Sequence, residues 1–138
     1  KEHHLNQAWA YKYDSRSSNL ESDTTGIQVH ADFAAVNVNF WVTPSVANLD
    51  PHSGGLIVYN SEAPPDWDLH TYNANLSRIH NELRKNDYHK EVIPYRENRM
   101  VIFNSNLFHE TDSFHFKSGY ENRRINVTML FGKRERYQ

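Results

Sequence analysis

Residues 26–44 read GIQVHADFAAVNVNFWVTP, and this run contains two stretches of period-two alternation. In the first, Ile27, Val29, Ala31 and Phe33 fall on one side of an extended chain, with Gln28, His30 and Asp32 on the other. That spacing sets the imidazole of His30 beside the carboxylate of Asp32. In the second, Val36, Val38, Phe40 and Val42 make an apolar side, and Asn37, Asn39, Trp41 and Thr43 a polar and aromatic one. Two strands are therefore expected, at about 27–33 and 36–43, each pairing an apolar face with a face of metal-binding or hydrogen-bonding groups. A solvated outer face could also be polar, but a His-x-Asp pair beside two asparagines and a tryptophan is unusual there.

Outward from this run, the chain reads as more short strands. They are expected at about Gln7–Tyr13, Leu56–Asn60, 89–95, 99–104, 107–116 and 123–132, with a polar loop from Asp14 to Thr25. Ala47 to Gly55 is a turn-rich loop ending in two glycines, which let the backbone bend or approach another group closely. The period changes once. Leu76, Ile79, His80 and Leu83 follow i, i+3, i+4, i+7, so one amphipathic helix is predicted from Asn73 to about Lys85 as a cover on the outside of a sheet. Trp67, in a proline-rich loop, is read as a loop anchor. Seven or eight strands with one inserted helix make an all-β sandwich or barrel. Because several strands carry polar groups beside strongly apolar ones, a double-sheet jelly roll with a ligand-lined mouth fits better than a plain sandwich.

The 138 residues are read as a single domain, able to bury about two thirds of the surface of the unfolded chain. Fifteen Lys and Arg against seventeen Asp and Glu give no reason to expect nucleic acid or a membrane surface as a partner. There is no cysteine, which removes disulfides, thiol nucleophiles and iron–sulfur clusters together. Nine histidines are many for this length, and histidine is the commonest transition-metal ligand. No apolar run reaches transmembrane length and no signal-peptide core is visible, so a cytoplasmic location is expected. The sequons at Asn75 and Asn126 are read as chance, one in a helix and one in a core strand.

The last strand repeats the alternation of the opening run. Ile125, Val127, Met129 and Phe131 alternate with Arg124, Asn126, Thr128 and Leu130, so a guanidinium, an amide and a hydroxyl share one face. Such a strip suits a carboxylate, because the guanidinium fork matches two carboxylate oxygens. Arg123 precedes Arg124, and a one-residue slip would exchange their faces; Arg124 is preferred because it shares a face with Asn126 and Thr128. Upstream, Met100–Phe103 runs into Asn104-Ser105-Asn106-Leu107-Phe108-His109, which sets His109 at the start of a strand just past a turn. His115 is its rival, but only His109 follows the apolar strand and turn. His30, Asp32 and His109 together are two imidazoles and a carboxylate, a set suited to non-haem Fe(II) with positions left open. Zinc could use the same ligands.

In this order — His-x-Asp, a Gly-Gly strand, a distal His after IFNSNLF, then Arg-x-Asn-x-Thr — the chain resembles the Fe(II)- and 2-oxoglutarate-dependent dioxygenases, broadly the phytanoyl-CoA hydroxylase, prolyl hydroxylase and AlkB-like group. The resemblance runs from about Ile27 to Phe131. It implies a double-stranded β-helix of the cupin type, with Fe(II) held by His30, Asp32 and His109. It also implies 2-oxoglutarate held at its far carboxylate by Arg124, with Asn126, Thr128 and Asn39 assisting. Trp41 and Gln28 are the expected substrate contacts, and Asn39 and Trp41 are placed ahead of Asn37 as pocket residues. The implied reaction consumes oxygen and 2-oxoglutarate, releases succinate and carbon dioxide, and most often hydroxylates a C–H bond of a small-molecule or peptide substrate. Compared with the family, the chain is short of N-terminal helical support and is expected to be partial. The rival expectations are a cupin-like module that binds a metal or small ligand without oxygen chemistry, and a non-catalytic jelly-roll subunit.

Overall fold

The computed structural model describes residues 2–13 and 26–134. The loop expected at Asp14–Thr25 lies outside them. Among the described residues, seven strands fall in two sheets: β1 (Leu5–Tyr13), β2 (Val36–Trp41), β3 (Leu56–Glu62), β4 (Lys90–Ile93), β5 (Met100–Asn104), β6 (Leu107–Thr111) and β7 (Arg124–Phe131). One sheet has the order β1-β7-β2-β5 and the other β4-β3-β6, and every strand pair is antiparallel. The expectation of an all-β chain holds.

Between the sheets, Trp41, Leu56, Tyr95, Phe114 and Phe116 form one buried cluster, joined by Val58, Val101 and Phe103. Alternate residues of β3 point the other way. Ile57 and Tyr59 pack with Val29, Phe108, Trp67, Tyr72, Ile79 and Leu83 under two helices. The smaller sheet is thus covered on both faces, and the helical cover is where the period-3.6 pattern placed it.

Three elements differ from the sequence reading. The helix is two helices, α1 (Leu69–Ala74) and α2 (Leu76–Lys85), because Asn75 ends one and starts the next. Its side chain accepts from the Arg78 amide, and Asp68 accepts likewise from Thr71 at the start of α1. The stretch 27–33 is not a regular strand and bends at Ile27, Val29 and Phe33. Only His30 pairs, in an isolated bridge with His109, while the amides of Ala31 and Asp32 leave for Tyr72 and Ser105. The strand expected to reach residue 116 stops at Thr111, and Phe116 pairs by itself with Asn48.

The larger sheet is inverted relative to an ordinary sandwich. Along β7, Arg124, Asn126, Thr128 and Leu130 are buried, while Ile125, Val127, Met129 and Phe131 are only partly so. On β2, Asn37, Asn39 and Trp41 face inward as well. The apolar side chains of these strands lie on the far face, where β5 exposes Met100 and Ile102 at 56% and 59%. Polar groups in such a position must satisfy one another or a ligand, since an unpaired buried polar group costs about 1–3 kcal/mol.

Candidate metal centre

The three ligand candidates converge. His30 and His109 exchange both backbone hydrogen bonds, at 3.0 and 2.9 Å, so their side chains emerge opposite each other with ring centroids 4.3 Å apart. Asp32 is two residues on, its amide bonded to the Ser105 carbonyl in the β5–β6 turn at 3.0 Å. Its Oδ1 lies 3.7 Å from His30 Nε2 and its Oδ2 3.4 Å from His109 Nε2. One ligand atom from each residue lies within 4.8 Å of the others. His30 and Asp32 share a site without a regular strand, because the bridge to β6 fixes the first and the bond to Ser105 the second.

Both rings are fixed in the same orientation. His30 Nδ1 lies 2.7 Å from the Gln28 carbonyl and His109 Nδ1 2.9 Å from that of Leu107, each two residues back along the chain. Carbonyls only accept, so both Nδ1 atoms carry a proton and both Nε2 atoms are turned toward Asp32. A backbone carbonyl behind a ligating imidazole is the usual outer partner in metal sites. Burial, with His109 nearby, pushes His30 down to about 4, so it is neutral at pH 7. Burial alone would raise Asp32, but the hydrogen bond and charge of His109, with His30 and Asn37, hold it below the ordinary carboxylate range. Two imidazole Nε2 atoms thus converge on one carboxylate, with the ligand atoms all within 4.8 Å of one another. The donor set fits a divalent transition metal.

The cavity beside this centre is lined by His30, Asp32, His109, Trp9, Tyr11 and, at its far end, Arg124. Arg124 is 1% exposed and is caged by Tyr13, Phe114 and Tyr95, whose ring centroids lie 5.3–5.8 Å from its guanidinium carbon. Nε donates to the Gly54 carbonyl at 2.6 Å and Nη2 to that of Gly55 at 2.9 Å. This explains the paired glycines. Gly54 has φ +83°, and a Cβ on Gly55 would sit 1.9 Å from the Ile93 carbonyl oxygen. Nη1 is buried without a hydrogen-bond partner, and no carboxylate among the described residues forms an ion pair with Arg124. Burial pulls the guanidinium down to about 10, opposed by Tyr13, Tyr95 and Asp112. A buried cation with one edge open fits an anion.

Arg124 is therefore the inward residue of the pair, while Arg123 stacks over exposed Tyr120. Asn39, Asn126 and Thr128 also line the cavity, but they are bonded to one another. Two expectations need correction. Trp41 is fully buried and stacks on Tyr95 with centroids 5.3 Å apart, packing the inter-sheet core rather than the cavity. Gln28 is exposed and does not line the cavity; its backbone carbonyl meets His30 Nδ1. Conversely, Asn37 is completely buried and donates to Asp32 at 2.6 Å; its position on the Asn39 face was the available signal. Trp9 and Tyr11 also went unremarked, although aromatic residues at 9, 11 and 13 mark one face of β1 opposite Thr128, Asn126 and Arg124.

No protein-family model matches the chain, and no curated protein does. Among solved structures, it is similar to an N-substituted L-amino acid dioxygenase from Burkholderia ambifaria, solved in complex with alpha-KG, at 12% identity and a TM-score of 0.46. That alignment covers 94% of this chain and 52% of the other, so the chain spans about half the length of that structure.

Proposed function

We propose that the chain is a double-stranded β-helix oxygenase domain that uses Fe(II) and 2-oxoglutarate to oxidise a C–H bond of a small-molecule or peptide substrate. One observation carries the reading: a cavity holds three converging metal-type ligands at one end and, at the other, a buried arginine that pairs with no carboxylate among the described residues. A metal alone would explain the first end, and an anionic ligand would explain the open Nη1 edge at the second. His30, Asp32 and His109 would hold the metal, which supplies oxygen activation when bound. Arg124 fixes the far carboxylate of 2-oxoglutarate through its free Nη1 edge, and the Tyr13–Phe114–Tyr95 cage keeps water from competing for it. The cavity volume is about 30 Å³, room for a water molecule or two. Trp9 and Tyr11 form the β1 wall of this cavity.

The test is a titration of 2-oxoglutarate into the anaerobic Fe(II) protein, followed by the metal-to-ligand charge-transfer band and by Trp9 fluorescence. Binding is expected in wild type and in Arg123→Met but not in Arg124→Met. A cupin-like module that binds metal or a small ligand without oxygen chemistry is the alternative. It would take up metal but show no preference for a five-carbon over a four-carbon dicarboxylate in thermal melts with Mn(II).

A further inference from the structure

A file of hydrogen bonds crosses the larger sheet and ends on the metal centre. Asn126 Nδ2 donates to Thr128 Oγ1 at 2.8 Å, Thr128 Oγ1 to Asn39 Oδ1 at 3.2 Å, Asn39 Nδ2 to Asn37 Oδ1 at 2.6 Å, and Asn37 Nδ2 to Asp32 Oδ2 at 2.6 Å. All five side chains are less than 9% exposed. The direction of the file is forced from its carboxylate end. Ionised Asp32 only accepts, so Asn37 must present its amide nitrogen and turn its oxygen to Asn39. Asn39 must then donate to that oxygen, which leaves its own oxygen for the Thr128 hydroxyl. Having donated its one proton, that hydroxyl accepts from Asn126. Each amide is thus held in one of its two flipped states by the next. The file joins β7 to β2, whose register places Asn39 opposite Thr128.

We infer that this file makes Asn37 the positioning residue of the metal centre, fixing which oxygen of Asp32 faces the ion, with Thr128 and Asn39 acting only through Asn37. The structural basis is geometric. Asn37 binds Oδ2, the oxygen 3.4 Å from His109 Nε2, and its own Nδ2 lies 3.5 Å from that nitrogen. Oδ1 is left facing His30. Without the file, the carboxylate could turn about its last bond and the Asn37 amide could flip, placing an oxygen against an oxygen. The inference rests on the metal-site half of the function proposed above and is independent of 2-oxoglutarate and of oxygen chemistry.

The experiment measures Co(II) binding by the metal-free protein, without 2-oxoglutarate, by calorimetry and by the visible absorption of bound cobalt. Partners behind a metal ligand typically change affinity 10- to 100-fold. Asn37→Ala should fall in that range. Thr128→Val, which keeps the side-chain shape but removes the hydroxyl, should weaken Co(II) about tenfold and alter its absorption bands, although residue 128 touches neither Asp32 nor the ion. Thr128→Ser should restore both. If Thr128→Val does not fold, Asn39→Ser breaks the same file one step nearer the metal and carries the same expectation. Wild-type affinity and an unchanged spectrum in Asn37→Ala, together with either file variant, would overturn the inference while leaving the metal centre standing. Failure of the wild-type protein itself to bind Co(II) would instead remove the metal centre, and the inference with it.

Discussion

Replacing Arg124 with methionine sets two effects of similar size against each other. The substitution removes two hydrogen bonds from a charged donor, to Gly54 and Gly55, each contributing about 1.5–3 kcal/mol. It also removes a cation that the fold holds at a disadvantage. The fall from the ordinary 12.5 to about 10 corresponds to roughly 3 kcal/mol against the charged form. Methionine fills the three-ring cage with a polarisable chain of similar reach. The net loss without ligand should therefore be about 0–3 kcal/mol, far below the usual consequence of deleting a fully buried charged residue. Urea denaturation of the metal-loaded proteins, with and without 2-oxoglutarate, reads both effects. At a ligand concentration one hundred times its Kd, wild type should gain about 2.7 kcal/mol, and Arg124→Met should gain nothing. A loss above about 5 kcal/mol in the ligand-free variant would make Arg124 a strut between the sheets. Equal gains in both proteins would remove it from the anion site.

Asp32→Ala should abolish Co(II) binding in calorimetry and lower the melting temperature of the metal-free protein by a few degrees, because the carboxylate that His109 and Asn37 stabilise is gone and the buried Asn37 amide loses its acceptor. His30 is neutral in the fold down to about pH 4, whereas in the unfolded chain it takes up a proton below about 6.5. The unfolded state thus binds more protons as the pH falls. Metal-free stability should decline from pH 6.5 to pH 4 by up to about 3 kcal/mol, a loss that His30→Gln should flatten in pH-dependent urea titrations. Ile79 is completely buried on the inner face of α2, so Ile79→Ala should cost about 2–5 kcal/mol. The Co(II) affinity of its folded fraction should not change; a large fall would tie α2 to the site.

The alternating runs were legible because period two needs no knowledge of neighbours: His30 with Asp32, and Arg124 with Asn126 and Thr128, share faces as their spacing requires. Alternation does not say which face is inside. Alternation puts Trp41 on the face of Asn39, yet that face continues into an aromatic core where Tyr95, distant in sequence, stacks on it. Asn37 was set behind Asn39 because residue type alone cannot show which of two buried amides meets a carboxylate. The break between α1 and α2 was missed for a related reason. An asparagine inside a helical pattern is unremarkable until its side chain is seen to cap the following turn.

The inverted larger sheet also governs how the chain behaves in a tube. With Asn37, Asn39, Arg124, Asn126 and Thr128 turned inward, the far face carries valine, isoleucine, methionine and phenylalanine, and the edge strand β5 exposes Met100 and Ile102. Edges and apolar faces of this kind favour self-association. Attraction through them should grow with ammonium sulfate, which strengthens apolar burial, and should not fade with sodium chloride as charge-driven contact does. Light scattering across the two salts distinguishes these behaviours, and Ile102→Lys should keep concentrated solutions clear while sparing the metal centre on the opposite side of the sheet.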